Sequence, residues 1–155
     1  MTNREPVGID NFKELIESKD LFIDKTLFIK EALEDSAKVT LITRPRRFGK
    51  SLNLSMLYYF LSLKEDSKHL FEHLKIAKES ELVDNHLNKY PTIFITFKDI
   101  KYNKFEDFEL NTKKMFENLF MKFDYLLNSE FLNEKEKNYI NLIINEPSQL
   151  SDLYN

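Results

Sequence analysis

The chain has 155 residues, one domain's worth and enough to bury a core. With 42% hydrophobic and 32% charged residues the composition excludes a disordered tract, and a formal net charge of -3 excludes a global attraction to nucleic acid or anionic membrane. Cysteine is absent, which removes disulfides, thiolate nucleophiles and thiolate zinc sites together. No stretch reaches the roughly 18 apolar residues of a membrane span, and Met1 to Asp10 lacks the apolar core of a secretory signal, so the expected location is the cytoplasm.

The elements follow in chain order. Ile9, Phe12, Leu15 and Ile16 are spaced for a helix, with Asp10 as its N-cap. Leu21-Phe22-Ile23 reads as a short extended segment, and Leu27 to Leu33 as a second helix. Val39-Thr40-Leu41-Ile42-Thr43 is short, rich in β-branched residues and bounded by charge, which predicts a buried strand. Leu52 to Leu61 is apolar on nearly every side, which predicts a helix buried between layers.

A mostly helical connection runs to about Leu87, and Tyr90-Pro91 introduces a second strand at Thr92 to Phe97. Beyond it Phe105, Phe108, Met115, Phe116, Leu119, Phe120, Phe123 and Leu127 form a helical stripe that reads as core. Leu132, Tyr139, Ile140 and Ile143 form another, and Pro147-Ser148 opens a last short helix. The 14 phenylalanines make burial depend on large flat rings.

Glycine occurs twice, at Gly8 and Gly49, and Gly49 directly precedes Lys50-Ser51. A tight loop between a strand and a helix can turn backbone N–H groups inward, and the helix N-terminus adds partial positive charge. A lysine then reaches the outer phosphates, and the following Ser or Thr hydroxyl ligates Mg²⁺. Val39–Thr43, Gly49-Lys50-Ser51 and Leu52–Leu61 supply these parts in order. Arg44 stands where the G-x-x-x-x-G-K-[ST] pattern has its first glycine. Strand, loop, helix and later strand predict an α/β fold of the P-loop layer type, helix-rich and with two strands. A parallel sheet needs more strands than two, so the domain is expected to be truncated.

Thr43 to Leu57, with Arg44-Pro45-Arg46-Arg47-Phe48-Gly49-Lys50-Ser51 at its centre, closely resembles the loop of the bacterial and archaeal AAA-ATPase-like family. Arginine in place of the first glycine is usual there. Gly8-Ile9-Asp10-Asn11-Phe12 is similar to that family's opening, and Phe22-Ile23-Asp24-Lys25-Thr26 to its Asp-Lys-Thr signature. Leu70-Phe71, Leu74-Lys75-Ile76 and Tyr90 to Ile100 resemble later blocks. The resemblance implies an ATP-binding P-loop domain, often followed by a PD-(D/E)XK nuclease-like domain. It implies nucleotide contacts at Arg46, Arg47, Phe48, Gly49, Lys50, Ser51 and Leu52, with Ser51 on Mg²⁺. The role of Asp24, Lys25 and Thr26 stays open between a site and a helix cap at Thr26.

Hydrolysis also needs an acidic residue at the end of a second buried strand. The resemblance places such an Asp-Glu strand after Asn155, so residues 1–155 are expected to be the N-terminal part of the domain, binding ATP-Mg²⁺ without turning it over alone. Asp99 is the nearest internal acid, displaced from its strand by Lys98. The alternative function is a non-hydrolysing remnant or interaction module whose basic loop meets phosphate or a nucleic-acid backbone incidentally. A partner or missing C-terminal domain would then cover exposed apolar surface. His69-Leu70-Phe71-Glu72-His73 matches H-x-x-E-H formally, a pattern that chance often produces in charged helices, with Glu146 only one of many further acids.

Overall fold

The computed structural model describes residues 8–98 and 101–145, so Asp99, Glu146 and the expected helix at Pro147-Ser148 lie outside the described residues. Two compact units result, one ending at Phe94 and the other beginning at Ile95.

The first unit holds α1 (Phe12–Glu17), α2 (Leu27–Glu34), α3 (Lys50–Leu61), α4 (Lys68–Phe71), a 3-10 turn at Lys75–Lys78, and α5 (Ser80–His86). Asn11, one residue later than expected, caps α1, its side-chain oxygen accepting from the Glu14 N–H at 3.1 Å. The helix ends where Lys19 turns into the left-handed region at φ 58° and returns its N–H to the Ile16 carbonyl.

The core is aromatic at its centre. Phe71 stacks on Phe12 with centroids 5.0 Å apart and meets Phe60 edge-on at 5.2 Å. Ile29, Met56, Leu70 and Ile76 complete a cluster with at most 2% exposure. These seven residues come from four helices and the 3-10 turn, so burial here joins segments that are far apart in sequence. The large rings supply much of the buried apolar area, at about 25 cal/mol per Å² removed from water.

The expected α/β layer fold is not what the chain forms. Among the described residues, strand-type pairing is confined to one parallel bridge between Ser62 and Tyr90. Val39–Thr43 and Thr92–Phe97 make no backbone–backbone hydrogen bond to the described residues, and Val39, Leu41, Ile93 and Phe97 are 86%, 82%, 62% and 64% exposed. The physical reason is that β-branched composition fits a residue to a sheet without making one. An extended segment becomes a strand through the neighbour it pairs with, and these two have none among the described residues. The expected full burial of α3 fails for the same reason. It buries one face through Ser55, Met56 and Phe60, while Leu54 is exposed.

The second unit holds α6 (Phe105–Met121), a 3-10 turn at Asp124–Asn128, and α7 (Glu134–Asn145). α6 packs on α7, and Ile140 and Ile143 of α7 are buried. The α6 stripe is not the core that its spacing predicts, since no residue of that helix is fully buried and Phe105 is 70% exposed. Periodicity locates an apolar face; a partner must still cover it.

Candidate phosphate-binding loop

The loop between Thr43 and α3 closes on two left-handed residues, Arg47 at φ 68° and Gly49 at φ 71°. A side chain added at Gly49 would meet nothing within 4 Å, so glycine is demanded by the backbone angle and not by crowding. Gly49 is the N-cap of α3, and no side chain caps that end. The first intrahelical bond runs from the Asn53 N–H to the Gly49 carbonyl at 2.9 Å, which leaves the N–H groups of Lys50, Ser51 and Leu52 ahead of it.

Lys50 folds back across the loop. Its Nζ donates to the Arg44 carbonyl at 2.5 Å and to the Pro45 carbonyl at 2.9 Å. A lysine ammonium has three N–H donors, so two anchor it and one stays free. The charge is thereby fixed over the turn instead of swinging on its four-carbon stem. Ser51 is exposed, and Leu52 is half-buried against the aromatic core, which seats the helix start. The structure therefore brings Gly49, Lys50, Ser51 and Leu52 together at one helix start. Arg46, Arg47 and the 59%-exposed Phe48 lie on the loop before it.

Arg44, Arg46 and Arg47 are exposed, and none of their guanidinium groups makes a hydrogen bond or ion pair among the described residues. With Lys50 they place four cations in seven residues without an acid. Such an arrangement can hold an anion of high charge: spare N–H donors, a helix N-terminus and planar arginine forks.

Supports for α3 were not singled out by the sequence reading. The Ser55 hydroxyl, buried in the helix, accepts from the Phe12 N–H at 3.0 Å, and the Asn11 amide donates to the Tyr59 hydroxyl at 3.2 Å. At the far end the Asn88 amide donates to the carbonyls of Tyr59 and Ser62 and to the Ser67 hydroxyl. A small hydroxyl within the apolar run Leu52–Leu61 was the available signal for Ser55.

The Asp-Lys-Thr signature has a structural role. Asp24 Oδ1 accepts from the Thr26 N–H at 2.9 Å and from the Thr26 hydroxyl at 2.7 Å, while Oδ2 accepts from the Lys75 N–H at 2.7 Å. The Thr26 oxygen accepts in turn from the Ile76 N–H at 3.1 Å. Thr26 occupies the N-cap position of α2, yet its side chain caps nothing there. It latches α2 to the 3-10 turn fifty residues on, fully buried. Burial pushes the Asp24 carboxyl up, but the hydrogen bonds from Thr26 and Lys75 outweigh it and hold the group below its ordinary value. Lys25, between them, is exposed.

The histidine motif is not carried on one helix face. α4 ends at Phe71, before Glu72 and His73, and His69 Nε2 lies 3.7 Å from Glu17. Among the described residues no group of three or more His, Asp or Glu side chains could hold a metal ion, and no helix is long and apolar enough to cross a membrane.

Comparison with known proteins matches residues 6–151 to the AAA-ATPase-like family, described as a predicted AAA-ATPase. No curated protein and no solved structure matches the chain. The family match spans nearly the whole chain, including the loop and the Asp-Lys-Thr latch, and the chain belongs to the AAA-ATPase-like family.

Proposed function

We propose that the chain binds a nucleoside triphosphate with Mg²⁺, ATP foremost, through Gly49, Lys50 and Ser51. The observation that supports this best is the Lys50 ammonium, anchored by the Arg44 and Pro45 carbonyls with one donor left over. The free N–H groups at the start of α3 suit phosphate oxygens, and the exposed Ser51 hydroxyl suits a magnesium ion carried by the nucleotide. Bound Mg²⁺ would neutralise phosphate charge there. The chain's own part is to grip and orient, and the proposed activity is binding rather than turnover.

Thermal unfolding with and without ATP-Mg²⁺ tests this. A ligand at about 100 times its Kd stabilises the fold by roughly 2.7 kcal/mol, which corresponds to a rise of about 5–10 °C in Tm. Lys50→Ala is expected to abolish the rise, and a variant that shifts as far as wild type sinks the proposal. The unpaired arginines beside exposed Phe48 also suit a nucleic-acid backbone. A single-stranded oligonucleotide that shifts the Tm when ATP does not would favour that second reading.

A further inference from the structure

The fold ties α3 down at its far end and along its length. The carbonyls that an α-helix leaves open at its C-terminus are here those of Tyr59, Phe60, Leu61 and Ser62, and every one accepts a hydrogen bond. The Ser67 hydroxyl and the Asn88 amide donate to Tyr59, the Asn88 N–H to Phe60, the Tyr90 N–H to Leu61, and the Asn88 amide again to Ser62. Nearer the loop, the Ser55 hydroxyl accepts from the Phe12 N–H at 3.0 Å, and the Tyr59 hydroxyl accepts from the Asn11 amide at 3.2 Å.

Ser55 is 4% exposed, beside the core residue Met56. Alanine would suit a buried helix interior better by propensity, so the hydroxyl must be judged by its partner. That partner is the first N–H of α1, one of the donors a helix cannot satisfy itself. A serine of α3 thus completes the start of α1, and the two helices are locked at one point. Ser51 and Ser55 are four residues apart, a little over one turn, so the lock lies about 6 Å along the helix from Ser51 and on nearly the same face. A rotation or slide of α3 that re-aimed its first N–H groups would break the Phe12 bond and leave a buried donor unpaired.

We infer that Ser55 is a positioning residue for the phosphate loop. Its bond to Phe12 fixes the rotation and axial placement of α3, and with them the direction in which the N–H groups of Lys50, Ser51 and Leu52 meet phosphate. The inference rests on the nucleotide-binding reading above and extends it to α1. By linkage, a nucleotide that holds the loop end of α3 also holds the Phe12 N–H.

The test uses the full chain with variants S55A, T26V and K50A. ATP-Mg²⁺ affinity is measured by calorimetry on the folded proteins, and amide signals by nitrogen–proton correlation spectra. S55A is expected to melt lower, since the Phe12 N–H is left buried without an acceptor. A merely structural serine stops there. A positioning serine also weakens ATP binding about three- to tenfold in folded protein and displaces the Lys50, Ser51 and Leu52 amide signals before ligand is added. T26V, which loses stability at a contact away from α3, should change neither. Wild-type ATP affinity in folded S55A overturns the inference, and so does an equal loss in T26V. Should S55A not fold, hydrogen exchange in wild type decides: ATP-Mg²⁺ should slow the Phe12 N–H more than the Ile76 N–H, and equal slowing overturns the inference. ATP binding that K50A leaves intact removes the phosphate-loop reading itself and the Ser55 assignment with it.

Discussion

Residues 24–26 and residues 44–51 both carry family motifs, and they use their polar atoms in opposite ways. In the first, both carboxylate oxygens of Asp24 and the Thr26 hydroxyl are engaged inside the fold, against Lys75 and Ile76. In the second, Lys50 is anchored with a donor to spare, and three guanidinium groups have no partner among the described residues. A motif whose carboxylate and hydroxyl are spent on contacts inside the fold is architecture at those two residues. One that keeps a surplus of same-sign donors at the surface has capacity for a ligand. Changes at the first should therefore move stability, and changes at the second should move binding.

The largest effect expected at the latch is from Thr26→Val, which preserves shape while removing the hydroxyl. It leaves the Ile76 N–H buried without an acceptor and deprives Asp24 of a donor. An orphaned buried donor costs about 1–3 kcal/mol, so a loss of roughly 2–12 °C in Tm is expected. ATP affinity, corrected for the folded fraction, should be unchanged. If Thr26→Val weakened ATP binding in a fully folded protein, the contrast between latch and loop would break.

Acid provides a second probe of the same latch. The folded carboxyl of Asp24 lies below its ordinary value of 3.8, so it binds fewer protons folded than unfolded in that range. The stability it contributes is thus fully present above pH 3.8 and is lost as the pH falls from there through the folded value. Wild type and Asp24→Asn compared by denaturant titration should differ constantly from neutral pH down to that point. Below it their stabilities should converge. A gap that persists unchanged into stronger acid would show that the charge of Asp24 contributes nothing and that only its shape matters.

Much of this was legible in the sequence, and the rest was hidden for stateable reasons. The helices around Phe12, Ile29 and Phe60 follow from apolar spacing, and the place of the loop before α3 follows from Gly49-Lys50-Ser51. Asp24 and Thr26 could be seen as a motif but not understood, because their partners Lys75 and Ile76 contribute backbone N–H groups, which every residue has. Pattern cannot flag such a partner. Val39–Thr43 and Thr92–Phe97 misled in the opposite direction: β-branched composition states what a segment would do beside a neighbour and says nothing about whether one is there. The left-handed angle at Arg47 was equally invisible, since arginine is not a residue that announces one.

The smallest effect expected separates the neutral part of the latch from its charged reinforcement. Lys30 Nζ lies 2.8 Å from Glu79 Oε2, joining α2 to the end of the same 3-10 turn that Thr26 holds, and both side chains are partly exposed. That hydrogen bond to Glu79, together with the Glu79 charge, raises the Lys30 ammonium above its ordinary value. Pairs open to water are weak and screened, and the Debye length shrinks from about 10 Å at 0.1 M salt to about 3 Å at 1 M. Glu79→Gln should lower the Tm only slightly at low salt, and the difference from wild type should close as salt rises. The Thr26→Val difference should persist across the same series, because burial shields that contact from ions. Should Glu79→Gln cost as much as Thr26→Val at high salt, the latch would be electrostatic, and Thr26 would be a bystander to it.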